Sequence, residues 1–253
     1  MSTPAGGRGG GLSLSSLAFQ IIFILLALQL WPSPLMQPIK LLVVLLHELS
    51  HGLVALSSGG TVHDIVITPD EGGACESSGG NGVLIACAGY LGSMFFGGMI
   101  LRASRGGSAV PATFALLSFL VLGAGVTVLH DSYSRAFAFT LAASFIFLGL
   151  FAPRFLGALF LRAIGTVSCL YALFDIYSDI VAAEPGSRPL ENDAETFAAL
   201  TGVPAEVVGI AWLAISALFF VAVLRASLQA PPDELPAPAA APARVGAAGG
   251  LPS

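Results

Sequence analysis

The chain has few charged residues and no concentration of them. Asp, Glu, Lys and Arg make up 10% of the 253 residues, against about 25% in an ordinary soluble domain. The ten Lys and Arg are scattered singly, and the formal net charge is −5. Without a basic patch, nucleic acid is not an expected partner. Scarce charge in a chain that is 55% hydrophobic, with a mean hydropathy of +0.87, predicts a polytopic membrane protein.

Cysteine is also scarce. Cys75, Cys87 and Cys169 are spaced too irregularly for a CxxC metal pair, and an odd number cannot all pair within the chain. Cys87 and Cys169 are expected to be small buried hydrophobic residues. Cys75 falls in a polar loop, where a disulfide to another chain stays open. A cysteine-based metal site is therefore not predicted.

Long apolar runs are abundant, and a membrane crossing requires roughly twenty such residues. They predict an all-α transmembrane bundle of about six to seven helices, six if a segment beside Arg154 is re-entrant or short. The candidate crossings are residues 17–36, 38–57, 83–101, 111–129, 136–152, 155–177 and 204–227. Residues 1–15 are expected to form a flexible tail, 16–228 the membrane domain and 229–253 a disordered Pro/Ala-rich tail.

The distribution of basic residues predicts an orientation. The first apolar run is too long for a cleavable signal peptide and is expected to remain as an anchor. With seven crossings, one face carries more basic residues and is predicted, with the C-terminus, to be cytoplasmic. That face holds Lys40, Arg102, Arg105, Arg154, Arg225 and Arg244, and the other holds Arg8, Arg135 and Arg188. Nothing indicates which membrane is occupied.

The motif His47-Glu48-Leu49-Ser50-His51 lies inside one of these apolar segments. Two histidines four residues apart on a helix point the same way and can bind one Zn²⁺, and the glutamate can reach a water on the metal. Because histidine and glutamate are costly to place in lipid, their presence indicates a compensating role such as metal binding. The alternative is a hydrogen-bonded polar cluster without metal. The motif predicts a hydrolytic zinc site within the membrane.

A catalytic zinc site usually has a third protein ligand. Asp175, near the end of segment 155–177, is the preferred candidate because apolar helix precedes it. Asp179 lies one turn later on the same face, and is either a partner that supports the ligand or the ligand itself. The alternative for both aspartates is an interfacial pair at a helix end.

Residues 59–82, which follow the motif, are polar and glycine-rich. Alternation between Thr61 and Ile67 predicts a strand, and residues 69–73 supply the turn of a hairpin. An edge strand near zinc can hold a substrate backbone in extended form, and the alternative is an ordinary solvent loop. In the next helix, Gly89, Ser93 and Gly97 form a small-residue stripe that predicts close helix packing.

These residues resemble the site-2 protease family of intramembrane zinc metalloproteases, particularly its short branch without a PDZ domain. The resemblance implies a helical membrane core in which zinc is bound by two histidines and an aspartate, with glutamate as the base. Carried over, His47, His51 and Asp175 are the metal ligands and Glu48 is the catalytic base. Besides HELSH, the resemblance rests on Gly59-Gly60, Val62 to Pro69, Glu71-Gly72-Gly73, Gly79-Gly80, Ala88 to Ser93 and Leu170 to Asp179, and it is extended by Asn192-Asp193-Ala194 and the Trp212 helix.

The expected function is that of a zinc metalloendopeptidase that cleaves transmembrane protein substrates in or near their membrane segments. Two alternatives stay open. A metal-cation transporter predicts polar residues repeated along several helices. A non-catalytic membrane adaptor of the same fold predicts that alanine at Glu48 leaves the phenotype intact.

Overall fold

The computed structural model describes residues 14–181 and 192–228. Within these ranges the chain is helical apart from one two-stranded sheet, which confirms the predicted fold class. The elements in order are α1 (Leu14–Gln29), a 3-10 turn (Pro34–Met36), α2 (Gln37–Ser57), β1 (Thr61–Ile67), β2 (Gly73–Ser78), α3 (Gly82–Ala103), α4 (Ala109–Thr127), α5 (Ser132–Phe151), α6 (Arg154–Ile176), a π-helical turn (Tyr177–Val181), α7 (Asp193–Thr201) and α8 (Ala205–Leu228).

Among the described residues, six helices are long and apolar enough to cross a membrane: α2, α3, α4, α5, α6 and α8. The first predicted crossing, 17–36, is interrupted, because α1 ends at Gln29 and Pro34–Met36 forms a separate turn capped by Ser33. Proline at the start of this turn has no N–H to continue a helix. The expected range of six to seven helices is confirmed, and the protein is an integral, multi-pass membrane protein.

The helix with the HExxH motif lies at the centre of the bundle. In α2, 72% of the apolar window is buried, against 22% in α5, so α5 is an outer, lipid-facing helix. The stripe on α3 allows α6 to approach closely, since a Cβ built on Gly97 would lie 2.8 Å from Cβ of Ser168. The predicted close packing of this stripe is confirmed.

The predicted hairpin is present, with β1 and β2 paired antiparallel and Ile65 opposite Cys75. Ile65 and Ile67 are almost fully buried. The outer edge of β1 is occupied by the α4–α5 connection, because the N–H of Ile65 donates to the Val128 carbonyl over 2.8 Å and that of Ile67 donates to Oγ of Ser134 over 2.9 Å. In the described part of the chain, no strand pairs with the other edge, on β2.

The tip of the hairpin is attached to the start of α2. Nε2 of Gln37 donates to the Pro69 carbonyl over 2.6 Å, and Nζ of Lys40 lies 3.1 Å from Oε1 of Glu71. The Tyr171 hydroxyl donates to Oε2 of the same glutamate over 3.3 Å. The hairpin therefore extends along α2 from its last turn to its first. Backbone groups at membrane depth must be satisfied by protein or by water in a cavity, so the open edge of β2 implies a wet cleft beside it.

The three cysteines are free thiols, with Cys169 buried and Cys75 and Cys87 partly buried. Cys75 packs against the main hydrophobic core, although sequence reasoning assigned it to a polar loop. Residues 1–13 and 229–253, which include nearly all of the predicted tails, lie outside the described residues.

Candidate metal centre

The two histidines of the motif lie one turn apart on α2, with ring centroids separated by 4.9 Å. Nδ1 of His51 is 2.7 Å from the Ile85 carbonyl oxygen. Because a carbonyl only accepts hydrogen bonds, the proton of a neutral His51 ring belongs on Nδ1. The lone pair on Nε2 is then available to a metal ion, an arrangement typical of metal-binding histidines.

A carboxylate from α7 meets both histidines. Oδ2 of Asp193 is 3.3 Å from Nε2 of His47, and Oδ1 is 3.1 Å from Nε2 of His51. Of the residues that the structure describes, only these three form a group of His, Cys, Asp or Glu suited to a metal ion, with donor atoms within 4.8 Å of one another. Tetrahedral zinc with bonds of roughly 2.0 Å separates its ligand atoms by about 3.3 Å. The spacing therefore fits a divalent metal.

Two further observations fit a cation between these side chains. Oδ2 of Asp193 is buried and has no well-oriented hydrogen bond, despite its 3.3 Å separation from the His47 ring. The backbone of α3 closes one side of the group, since a Cβ built on Gly89 would overlap Asp193 and both histidine Nε2 atoms. The small residue in the stripe thus leaves room for the donor atoms as well as for helix packing.

Asp193 is ionised at neutral pH. Burial by itself would raise the pKa of this carboxyl, but the close approach of the His47 and His51 rings, and the positive charge that they carry when protonated, outweigh burial and lower the pKa to about 2. An ionised carboxylate beside two imidazoles is a donor set that Zn²⁺ accepts.

Glu48 lies between the histidines and the hairpin. The residue is buried, with 7% of its surface exposed. A Cβ built on Gly73, the first residue of β2, would lie 2.5 Å from Oε1 of Glu48, so the glutamate is adjacent to the open sheet edge. Both residues line a cavity of about 690 Å³, together with both histidines, Asp193 and residues from the hairpin, α3, α6 and α7.

The sequence-predicted site residues are mostly together. His47, Glu48 and His51 share the cavity wall, and Asp175 lines the same cavity but lies outside the His-His-Asp group. The backbone of Asp179 is in the π-helical turn, and its side chain lies outside the described residues.

Sequence reasoning did not select Asp193 as a ligand candidate. The local signal was a helix start, because Asn192 caps α7 and its Oδ1 accepts the Glu195 N–H over 2.8 Å. An acidic residue in the first turn is readily explained by the helix dipole. Asp193 differs from an aspartate that only stabilises a helix start in one respect, which is its position beside the histidines of α2.

A model of the Peptidase M50B-like family matches residues 20–223. The chain belongs to this family. The predicted membership of the site-2 protease family is thereby confirmed. No curated protein and no solved structure matches the chain significantly. The M50B-like assignment supports a protease, and together with the apolar helices it fits an intramembrane metalloprotease in a lipid bilayer.

Proposed function

We propose that this M50B-like protein is a zinc-dependent intramembrane protease that hydrolyses peptide bonds in or near the transmembrane segments of membrane-protein substrates. The observation that carries the proposal is the group of His47, His51 and Asp193 in one cavity with Glu48. In this proposal Asp193 is the third ligand, in the role that sequence reasoning predicted for Asp175.

When bound, Zn²⁺ supplies Lewis acidity that polarises a peptide carbonyl and makes water more acidic. Glu48 accepts a proton from the attacking water as its oxygen bonds to the carbonyl carbon. As the C–N bond breaks, Glu48 returns that proton to the departing amine nitrogen. Glu48 lines the cavity, so its carboxylate can reach both a water and a peptide bond held there.

The open edge of β2 supports an extended substrate. A peptide that pairs with this edge satisfies the exposed backbone groups of the strand and passes the Glu48 carboxylate at Gly73. A helical peptide bond is shielded by its own turn, so a transmembrane substrate must unwind locally before it pairs. Selectivity would then depend more on ease of unwinding than on individual side chains.

Metal content tests the ligand assignment. We expect about one zinc per chain in detergent-purified wild-type protein and in Asp175→Asn. Zinc is expected to be lost in His47→Ala and Asp193→Ala, which each remove a donor, and elemental analysis measures it. Loss of zinc in Asp175→Asn with retention in Asp193→Ala would return the third-ligand role to Asp175.

Glu48→Gln tests the catalytic role. The amide cannot accept the proton, so turnover should fall roughly 10²- to 10⁴-fold while zinc remains bound. Peptide termini in the membranes of cells that express wild type or Glu48→Gln identify cleavages that need Glu48, and these are expected in or near transmembrane segments. Undiminished cleavage by Glu48→Gln would refute the base assignment. Zinc binding without any Glu48-dependent cleavage would indicate a non-catalytic adaptor.

A further inference from the structure

The helix that carries Asp193 is too short to be stable without tertiary contacts. With nine residues, α7 is shorter than the 12 to 15 or so residues at which an isolated helix becomes even marginally stable. The place of the carboxylate over the histidines must therefore come from the packing of α7 against neighbouring helices.

Both α3 and α8 pack against α7, and on the α8 side the contact is made by Trp212, which is 5% exposed. Its ring contacts Phe197, one turn after Asp193, at a centroid separation of 5.8 Å and an interplanar angle of 79°. Ala194, the residue after the aspartate, is fully buried in the same cluster as Trp212. The side of α7 that carries Ala194 and Phe197 thus packs on the indole.

The indole of Trp212 is also connected to the histidines through Tyr90. Trp212 lies 5.9 Å from the ring of Tyr90 on α3, and Tyr90 lies 5.0 Å from the ring of His47 at an angle of 86°. Four rings therefore run without a gap from α7 to the first histidine. The indole sits between the helix that bears the carboxylate and a ring already packed against an imidazole.

We propose that Trp212 is a positioning residue for the metal centre, which sets the distance between Asp193 and the histidines by supporting α7. This inference rests on the proposed zinc site. Trp212 contributes no donor atom, and it acts through Phe197 and the first turns of α7. Loss of a residue that orients a metal ligand typically weakens metal binding about 10- to 100-fold, and Trp212→Ala is expected to fall in that range.

Zinc affinity, measured by competition with a chromophoric chelator on purified full-length protein, tests the role. Trp212→Phe should restore most of the affinity lost in Trp212→Ala, because a ring still fills the gap. The matched control is Trp31→Ala. Trp31 is the other tryptophan in the chain, it packs on Tyr171 and Phe174 rather than on α7, and its removal should leave zinc affinity within about twofold of wild type.

A double-mutant cycle separates positioning from general stability. The two histidines still offer a weaker site in Asp193→Ala, whose residual zinc affinity competition can measure at raised zinc concentration. If Trp212 acts through Asp193, adding Trp212→Ala should not lower that residual affinity further. Equal losses in the two backgrounds would overturn the inference, as would wild-type affinity in Trp212→Ala. Phe197→Ala removes the facing ring without altering a spanning helix, and it should reproduce the loss even if Trp212→Ala fails to fold. Absence of zinc from the wild type would instead refute the proposed function.

Discussion

At the residue scale, Gly89 shows how little room the site has. The sequence places it in a stripe of small residues that predicts helix packing. At Gly97, close packing against α6 accounts for the glycine. At Gly89 the missing side chain has a second consequence, because three donor atoms occupy the volume that a Cβ would take. A single methyl group is therefore expected to separate metal binding from folding.

Gly89→Ala should weaken zinc binding at least about tenfold, since the methyl group must displace the side chains of Asp193 and both histidines. The helix itself should persist, because alanine favours helix more than glycine does. The control is Gly123→Ala in α4, where a Cβ has nothing within 4 Å and both zinc binding and thermal stability should be close to those of wild type. Chelator competition and thermal unfolding measure the two properties. Normal zinc affinity in Gly89→Ala would mean that the backbone of α3 at Gly89 does not lie against the three donor atoms.

At the scale of elements, one residue with an unusual backbone helps to hold the tip of the hairpin, beside the contact between Gln37 and Pro69. Glu71 has a φ of 70°, in the left-handed region that favours glycine. Its two carboxylate oxygens bind Lys40 and Tyr171, on α2 and α6. These contacts offset the backbone cost and fix β2 beside Glu48.

Glu71→Ala should loosen the hairpin without unfolding the bundle. Alanine is disfavoured at a positive φ as glutamate is, so Glu71→Ala leaves the backbone cost unchanged and removes only the contacts of the side chain. Hydrogen bonds to charged groups are worth roughly 1.5 to 3 kcal/mol each, and amide hydrogen exchange in residues 68–78 should accelerate about tenfold or more. Hydrogen exchange with mass spectrometry measures this. The control is Glu76→Ala, an exposed carboxylate on the same hairpin, which should leave exchange nearly unchanged. Similar exchange in both variants would show that Glu71 does not hold the tip.

At the scale of the molecule, the spanning helices alternate in direction, which places all site elements toward one end. His51, the start of α3, the end of α6 and α7 lie there, with the base of the hairpin and the α4–α5 connection. Arg102, Arg105, Arg154 and Arg225 lie toward the opposite end, and Arg135 lies toward the site end. The positive-inside bias still predicts that the basic end is cytoplasmic, so the site is expected to open toward the other side.

Labelling of single cysteines tests this orientation. Ser108 is an exposed residue just before α4, and Ser132 is the exposed first residue of α5. The two residues therefore lie at opposite ends of this pair of helices. In a background without the native cysteines, Ser132→Cys should react in intact cells with a membrane-impermeant maleimide. Ser108→Cys should react only after the membrane is permeabilised. The reverse pattern would place the site end in the cytoplasm.

The local sequence determined most of the elements and the part of the candidate site that lies on α2. Apolar runs specify membrane helices because hydrocarbon excludes unsatisfied polar groups, and the HExxH spacing brings His47, Glu48 and His51 to one face through helix geometry alone. Alternation likewise specified the hairpin. These features depend on neighbours a few residues away, so they are legible in the chain itself.

The tertiary structure decided which carboxylate meets the histidines. Asp175 and Asp193 are both acidic residues near helix ends, and their local sequence does not reveal which one lies over α2. That choice depends on how α7 returns to the bundle and rests on Trp212, 19 residues further along the chain. The room left by Gly89 depends in the same way on the approach of α3. Packing between distant segments, rather than local propensity, therefore completes the candidate metal centre.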